Sequence, residues 1–239
     1  MINSCVNKSS LHSGLLRSVM PEKFTVIDIE TENTGYDIME DNARILSIQL
    51  NDGIKEELYY ADSKTNSLGF ASTKIRSMIS DRFQFVGYNI INFDLAMLKK
   101  FSDIEVPRSQ VTDISEMKNM VLLKNRLNKK GISLEDACRH FSVNCEHKAL
   151  MKPISDRISK SPEVVAKAKF GAVKLANKRG WSADFSYKYA LDKISGGMAI
   201  LESYNDFIRS NASANSTFHR YAIGDVISEY QLYQKMKAG

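Results

Sequence analysis

Phe24-Thr25-Val26-Ile27-Asp28-Ile29-Glu30 opens on apolar, β-branched residues and closes on two carboxylates. A short run of this composition predicts a buried central strand. Charges beside such a strand are costly unless they are paired or hold a metal. Residues two apart in a strand point to the same face, about 7 Å from each other. Asp28 and Glu30 therefore project together from the end of the strand, a placement suited to ligands of a hard divalent cation. The plainer alternative is a strand ending at a solvent edge. Asp-x-Glu arises about once by chance in a chain of this length, so further ligands have to come from elsewhere.

Downstream, residues 31–42 carry Asn, Gly and Asp and predict a loop. Residues 44–50 and 57–60, joined through the turn signal Asn51-Asp52-Gly53, predict two more strands of an antiparallel meander. Helical spacing over 70–79 precedes a fourth short strand at 83–86. A helix over 93–101, a fifth strand at 111–114 and a helix to about residue 127 follow. Ser133-Leu-Glu-Asp136 is a capping signal for another helix, and Ser161-Pro162 starts one that runs to Gly180. Residues 187–209 are helical in pattern, with a break or kink expected at Gly196-Gly197, and a last helix runs from about Phe218 to Lys237. Strands early, with helices interleaved and following, predict an α/β fold with a mixed sheet flanked by helices. Residues 1–22 read as a flexible N-terminal arm and 23–239 as one domain.

With 239 residues and 43% hydrophobic content, the chain can bury one full core. No run of 18 apolar residues is present, so no transmembrane helix is expected. The Ser- and Asn-rich start lacks the apolar stretch of a secretory signal. Cys5, Cys138 and Cys145 cannot make a disulfide framework, which suits a reducing cytoplasm. The net charge of +5 is uneven: Lys118 to Arg179 holds 15 Lys and Arg against five Asp and Glu, and the rest holds 18 against 23. Such an imbalance points to a polyanion met by one region, or else to a solvated lysine-rich helical surface. Lys167, Lys174 and Lys178, with Lys148, Lys152 and Arg157 nearby, are the candidates for phosphate contact. Trp181, Phe185, Tyr187 and Tyr189 follow at once, either to stack bases of a single strand or to fill the core. Cys138-x-His140 and Cys145-x-His147 have zinc-like spacing, but Cys138 falls on an apolar helix face with Leu134 and Phe141 while His140 points elsewhere.

Two more stretches carry acids. Phe85 to Asp94 joins a strand to a helix and leaves Asp94 in the first helical turn, either as a dipole-complementing residue or beside the end of the first strand. In the last helix, Tyr221 and Asp225 are four apart and share a face. Gly224 between them weakens a helix by up to about 1 kcal/mol relative to alanine, which suggests a close approach there.

Asp28-Ile-Glu30, then Asn89-x4-Asp94, then Tyr221-x3-Asp225 resembles the DEDD superfamily of 3′→5′ exonucleases in its tyrosine branch, which includes polymerase proofreading domains and ribonuclease D-like enzymes. The resemblance spans roughly residues 23–234. It implies a ribonuclease H-like mixed five-stranded sheet flanked by helices, with residues 118–209 as an atypical basic helical insertion before the last helix. It also implies two divalent cations, Mg²⁺ or Mn²⁺. Two such ions about 3.5–4 Å apart stabilise both oxygens of a phosphodiester displacement. Asp28, Glu30 and Asp225 would bind one ion, with Asp28 shared, and Asp94 would act on the second through water. Tyr221 would orient the attacking water, and Thr31, Asn89 and Phe93 would serve the terminal nucleotide, although Phe93 also reads as core. His219 stands six residues before Asp225, where the sister branch uses five, so it reads as an ordinary surface or capping residue. The activity so implied acts on single-stranded DNA or frayed 3′ ends. The rivals are an exoribonuclease of the same architecture and a catalytically silent nucleic-acid-binding protein, the latter predicting lost ligands. The oligomeric state is not legible in the sequence.

Overall fold

The computed structural model describes residues 23–33, 35–36 and 44–238. The expected N-terminal arm, 1–22, lies outside the described residues, as does most of the loop at 37–43. Five strands form one sheet: β1 (Phe24–Thr31), β2 (Ile45–Asn51), β3 (Glu56–Tyr60), β4 (Gln84–Gly87) and β5 (Val111–Asp113), in the order β3-β2-β1-β4-β5. The first three make the antiparallel meander, Asp28 pairing with Gln49 and Gln49 with Leu58. β4 and β5 add in parallel, Thr25 beside Phe85 and Phe85 beside Val111. The mixed, five-stranded, helix-flanked sheet is the ribonuclease H-like architecture that the motifs imply.

The period of two along β1 decides which helices meet the carboxylates. Ile27 and Ile29 face one side, in a core with Ala71 and Ile75 of α1 (Ser67–Ser80) and Met97 and Leu98 of α2 (Asp94–Ser102). Val26 faces the other, packed with Met120 of α3 (Lys118–Leu127), Ala137 of α4 (Leu134–His140) and Val226 of α8 (Thr217–Ala238). Asp28 and Glu30 continue the Val26 face, so they look towards α8.

Three helices form a core of their own: α5 (Lys152–Ile158), α6 (Pro162–Arg179) and α7 (Ala183–Arg209). Val164, Ala168 and Leu175 of α6 pack there on Ala190 and Ile194 of α7. Trp181, Tyr187 and Tyr189 lie partly buried against that core, and Phe185 is exposed. Of the break or kink expected at Gly196-Gly197, the break is absent, for α7 runs unbroken over 27 residues. The glycines serve closeness instead. A Cβ on Gly197 would come within 1.9 Å of the Asn33 carbonyl oxygen, so only glycine lets α7 press against the chain leaving β1. Among the described residues no helix is long and apolar enough to cross a membrane.

Candidate active site

The parallel pairing of β1 with β4 stops at Val26, so Ile29 has no ladder partner on that side. Its N–H donates instead to Asp94 Oδ1 at 2.9 Å, satisfying a buried backbone group that would otherwise be orphaned. That bond fixes the first turn of α2 beside the end of β1. The loop into α2 is held by Asp113 at the end of β5. Its Oδ1 accepts the Asn89 N–H at 2.9 Å and its Oδ2 the Ile91 N–H at 3.4 Å, with Asn89 at φ 59°. Asp113 is a residue that sequence reasoning passed over; its place four residues before Met117 carries no motif.

On the opposite side, α8 presents Tyr221, Asp225 and Glu229 at steps of four along one stripe. Asp28, Glu30 and Asp225 each offer an oxygen, and these atoms all lie within 4.8 Å of one another. Asp94 lies outside that trio. The Oδ2 of Asp28 is buried with no hydrogen-bond partner. An all-oxygen set of clustered carboxylates with an orphaned buried oxygen fits a hard cation such as Mg²⁺ or Mn²⁺ better than zinc.

Burial, reinforced by the charge of Asp225, pushes the Asp28 carboxyl up to about 7. Burial followed by the neighbouring Asp28 also raises Glu30 and Asp94 well above the usual carboxylate range. Asp225 goes the other way. Burial works against its charge, but Lys148 and His147 hold it ionised, below the usual range. Lys148 Nζ lies 2.5 Å from Asp225 Oδ1, and His147 Nε2 lies 2.9 Å from the same oxygen. The Lys148 ammonium also donates to the Tyr221 hydroxyl at 3.2 Å and sits 4.7 Å from the centre of its ring. Burial keeps Tyr221 a neutral phenol, its proton bound well above the ordinary range.

His147 and Lys148 come from a short 3₁₀ turn, Glu146–Leu150, that docks on α8. Gly224 permits this, because a Cβ there would lie 2.3 Å from His147 Cγ. The closeness expected at Gly224 is thus found, with a partner that sequence reasoning had not named. Lys148 was expected on a phosphate-contacting surface; it is three-quarters covered and engaged with Asp225. Glu229 is a further buried acid, its carboxyl raised well above the usual range by burial and then by the Asp28 charge, with Oε2 unpartnered. Its spacing, four residues after Asp225, was the signal that could have found it.

The other expected residues fall into two groups. Thr31, Asn89 and Phe93 line a cavity of about 620 Å³ that includes Glu30. Lys167, Lys174 and Lys178 stand on exposed faces of α6: Lys167 pairs with Glu163 at 3.4 Å, and Lys174 sits 4.6 Å from the Phe170 ring centre. They do not line that cavity, which takes Arg179 and Lys193 instead. Cys138 and Cys145 hydrogen-bond each other, and His140 faces Arg126. His219 leans on the Phe207 ring.

Comparison with curated proteins finds no match. A family model described as 3′-5′ exonuclease matches residues 11–160, a span that contains Asp28, Glu30, Asp94 and Lys148 and stops before α6, α7 and α8. With more than half of its length matched and its acids gathered at the end of the central strand, the chain belongs to the 3′-5′ exonuclease family.

Proposed function

We propose that the chain is a metal-dependent 3′→5′ exonuclease of the tyrosine branch, acting on DNA from single-stranded or frayed 3′ ends. The observation that carries this reading is the meeting of Asp225 with Asp28 and Glu30, three oxygens within 4.8 Å from opposite ends of the chain. Asp28, Glu30 and Asp225 would hold Mg²⁺ or Mn²⁺, with Asp94 serving a second ion. When bound, such ions stabilise the charge on the attacking and leaving oxygens of a phosphodiester.

The chain's own groups do the rest. Tyr221, a neutral phenol, holds a hydroxyl where it can orient a water molecule, and the Lys148 contact fixes that hydroxyl in place. Lys148 adds a positive charge in a mostly enclosed site, where it is worth more than in bulk water. The bond from Ile29 to Asp94 keeps the second-ion ligand at a set distance from the strand. Thr31, Asn89 and Phe93 receive the end of the nucleic acid. Lys167, Lys174 and Lys178 on α6 supply phosphate affinity without sequence preference, which weakens with salt. Residues 23–239 form the exonuclease unit.

The deciding experiment is digestion of 3′-labelled DNA and RNA oligonucleotides side by side, with Mn²⁺ and with chelator. Release of mononucleotides from the DNA 3′ end only with metal is the expected result. Preference for RNA would make the enzyme an exoribonuclease, and no release from either would leave a silent binding protein.

A further inference from the structure

The cavity beside Glu30 has three walls, and one lies outside the family match. The chain leaving β1 supplies Thr31 and Asn33, the loop into α2 supplies Asn89 and Phe93, and the α6–α7 hairpin supplies the third wall. On that wall Arg179, Tyr189, Lys193 and Gly196 face the space. The cations are pre-set on aromatic faces: the Arg179 guanidinium lies 4.8 Å from the Trp181 ring centre, and Lys193 Nζ lies 5.7 Å from that of Tyr189. The wall is fixed in place by Gly197 against Asn33 and by Gly171 of α6 against Tyr36, where an added Cβ would lie 2.6 Å from the ring. Gly196 is the opposite case, since a Cβ there would meet nothing within 4 Å.

We infer that the α6–α7 hairpin is the substrate-selecting wall of this site, and that the cavity receives the last unpaired nucleotide of a strand, with Tyr189 against the base and Arg179 and Lys193 at its phosphates. The inference rests on the exonuclease reading. The chemistry is that of a nucleotide: side-chain amides at Asn33 and Asn89 for polar base or sugar edges, rings for a base face, and cations for phosphate. The cavity's 620 Å³ falls within the range that encloses one small ligand, about 300–1,000 Å³. The wall also carries Asp192, and Glu30 is a second acid at the cavity's edge.

The test uses the full chain with Mn²⁺ and two variants. Gly196→Leu plugs the open space while improving helix propensity; Arg179→Ala/Lys193→Ala removes the cations. Binding of a dT₄ oligonucleotide with phosphorothioate linkages, which resist hydrolysis, is measured by titration calorimetry, with Mn²⁺ binding and thermal melting in parallel. Gly196→Leu should weaken dT₄ at least about tenfold, the scale of a lost anchoring contact, with Mn²⁺ binding unchanged. The double variant should weaken dT₄ and flatten its salt dependence by up to about two charges. Wild-type affinity in either variant overturns the inference, as does failure of the native chain to bind dT₄. If dT₄ binding is lost in the variants while the native enzyme digests no 3′-labelled strand, the cavity stands and the exonuclease reading falls. Unchanged digestion by the variants sinks the cavity alone.

Discussion

Lys148 and Asp225 share a buried ion pair at 2.5 Å, at the point where the carboxylate cluster would otherwise carry uncompensated charge. Lys148 is thus a counter-ion for the metal-free site and a competitor for the metal at Asp225. Lys148→Met should destabilise the metal-free protein by about 3 kcal/mol, the usual scale for removing one partner of a buried pair. It should also tighten Mn²⁺ binding, so that added metal raises the melting temperature more than in the native chain. Melting curves with chelator and with Mn²⁺ read both effects; equal metal-induced shifts in the two proteins would contradict the pairing.

The raised carboxyls make metal-free stability depend on pH. Asp28 is pushed to about 7, and Glu30 and Asp94 are raised as well. An unfolded aspartate ionises near 3.9, so between about pH 4 and 7 the native state binds more protons than the unfolded one. Stability then falls as pH rises through that window. Asp225, held low, contributes the opposite slope, but only below the ordinary aspartate range. Chelated protein should therefore melt at a lower temperature at pH 7.5 than at pH 5.5, and Mn²⁺ should reverse the order, because bound metal demands ionised ligands.

Asp28→Ala removes an oxygen of the trio and should abolish Mn²⁺ binding and nucleotide release, leaving α6 able to bind nucleic acid. Undiminished digestion by that variant would refute the assignment. Tyr221→Phe keeps every carboxylate, so metal binding should persist while release slows, by about 10² if the hydroxyl orients water in the rate-limiting step. Titration calorimetry with Mn²⁺ beside a single-turnover digestion separates the two variants.

Gly224→Ala puts a methyl 2.3 Å from His147 Cγ, an atom too near the backbone to swing aside. The 3₁₀ turn carrying His147 and Lys148 must back away from α8. A stability loss of about 1–3 kcal/mol, typical of overpacking, is expected together with slower digestion. Chemical denaturation measures the first, and an unchanged midpoint would show that the turn is free to move.

Much of this arrangement is legible in the sequence because it obeys local periods. Val26-Ile-Asp-Ile-Glu30, with Val26, Asp28 and Glu30 on one face and Ile27 and Ile29 on the other, and Tyr221 with Asp225 four apart, follow from strand and helix geometry alone. The five strands were each found within a residue or two. Lys148 and His147 were not recognised as partners of Asp225, because their contact spans 77 and 78 positions and no pattern links them to it. Gly196-Gly197 misled for a related reason: glycine reads locally as a helix breaker, whereas here its value is the space it leaves to Asn33 and to the cavity. Glu229 was legible and missed, since a glutamate one turn past Asp225 also reads as a solvated helix face.

β1 and α8, far apart in sequence, supply different parts of one cluster, and this sets a timing. A nascent chain from which α8 has yet to emerge carries Asp28 and Glu30 but lacks Asp225, the third member of the trio. On the exonuclease reading, hydrolytic power arrives with the docking of α8, after the whole α6–α7 wall has been made. Until that moment the emerging chain would be inert toward any transcript or template lying close by.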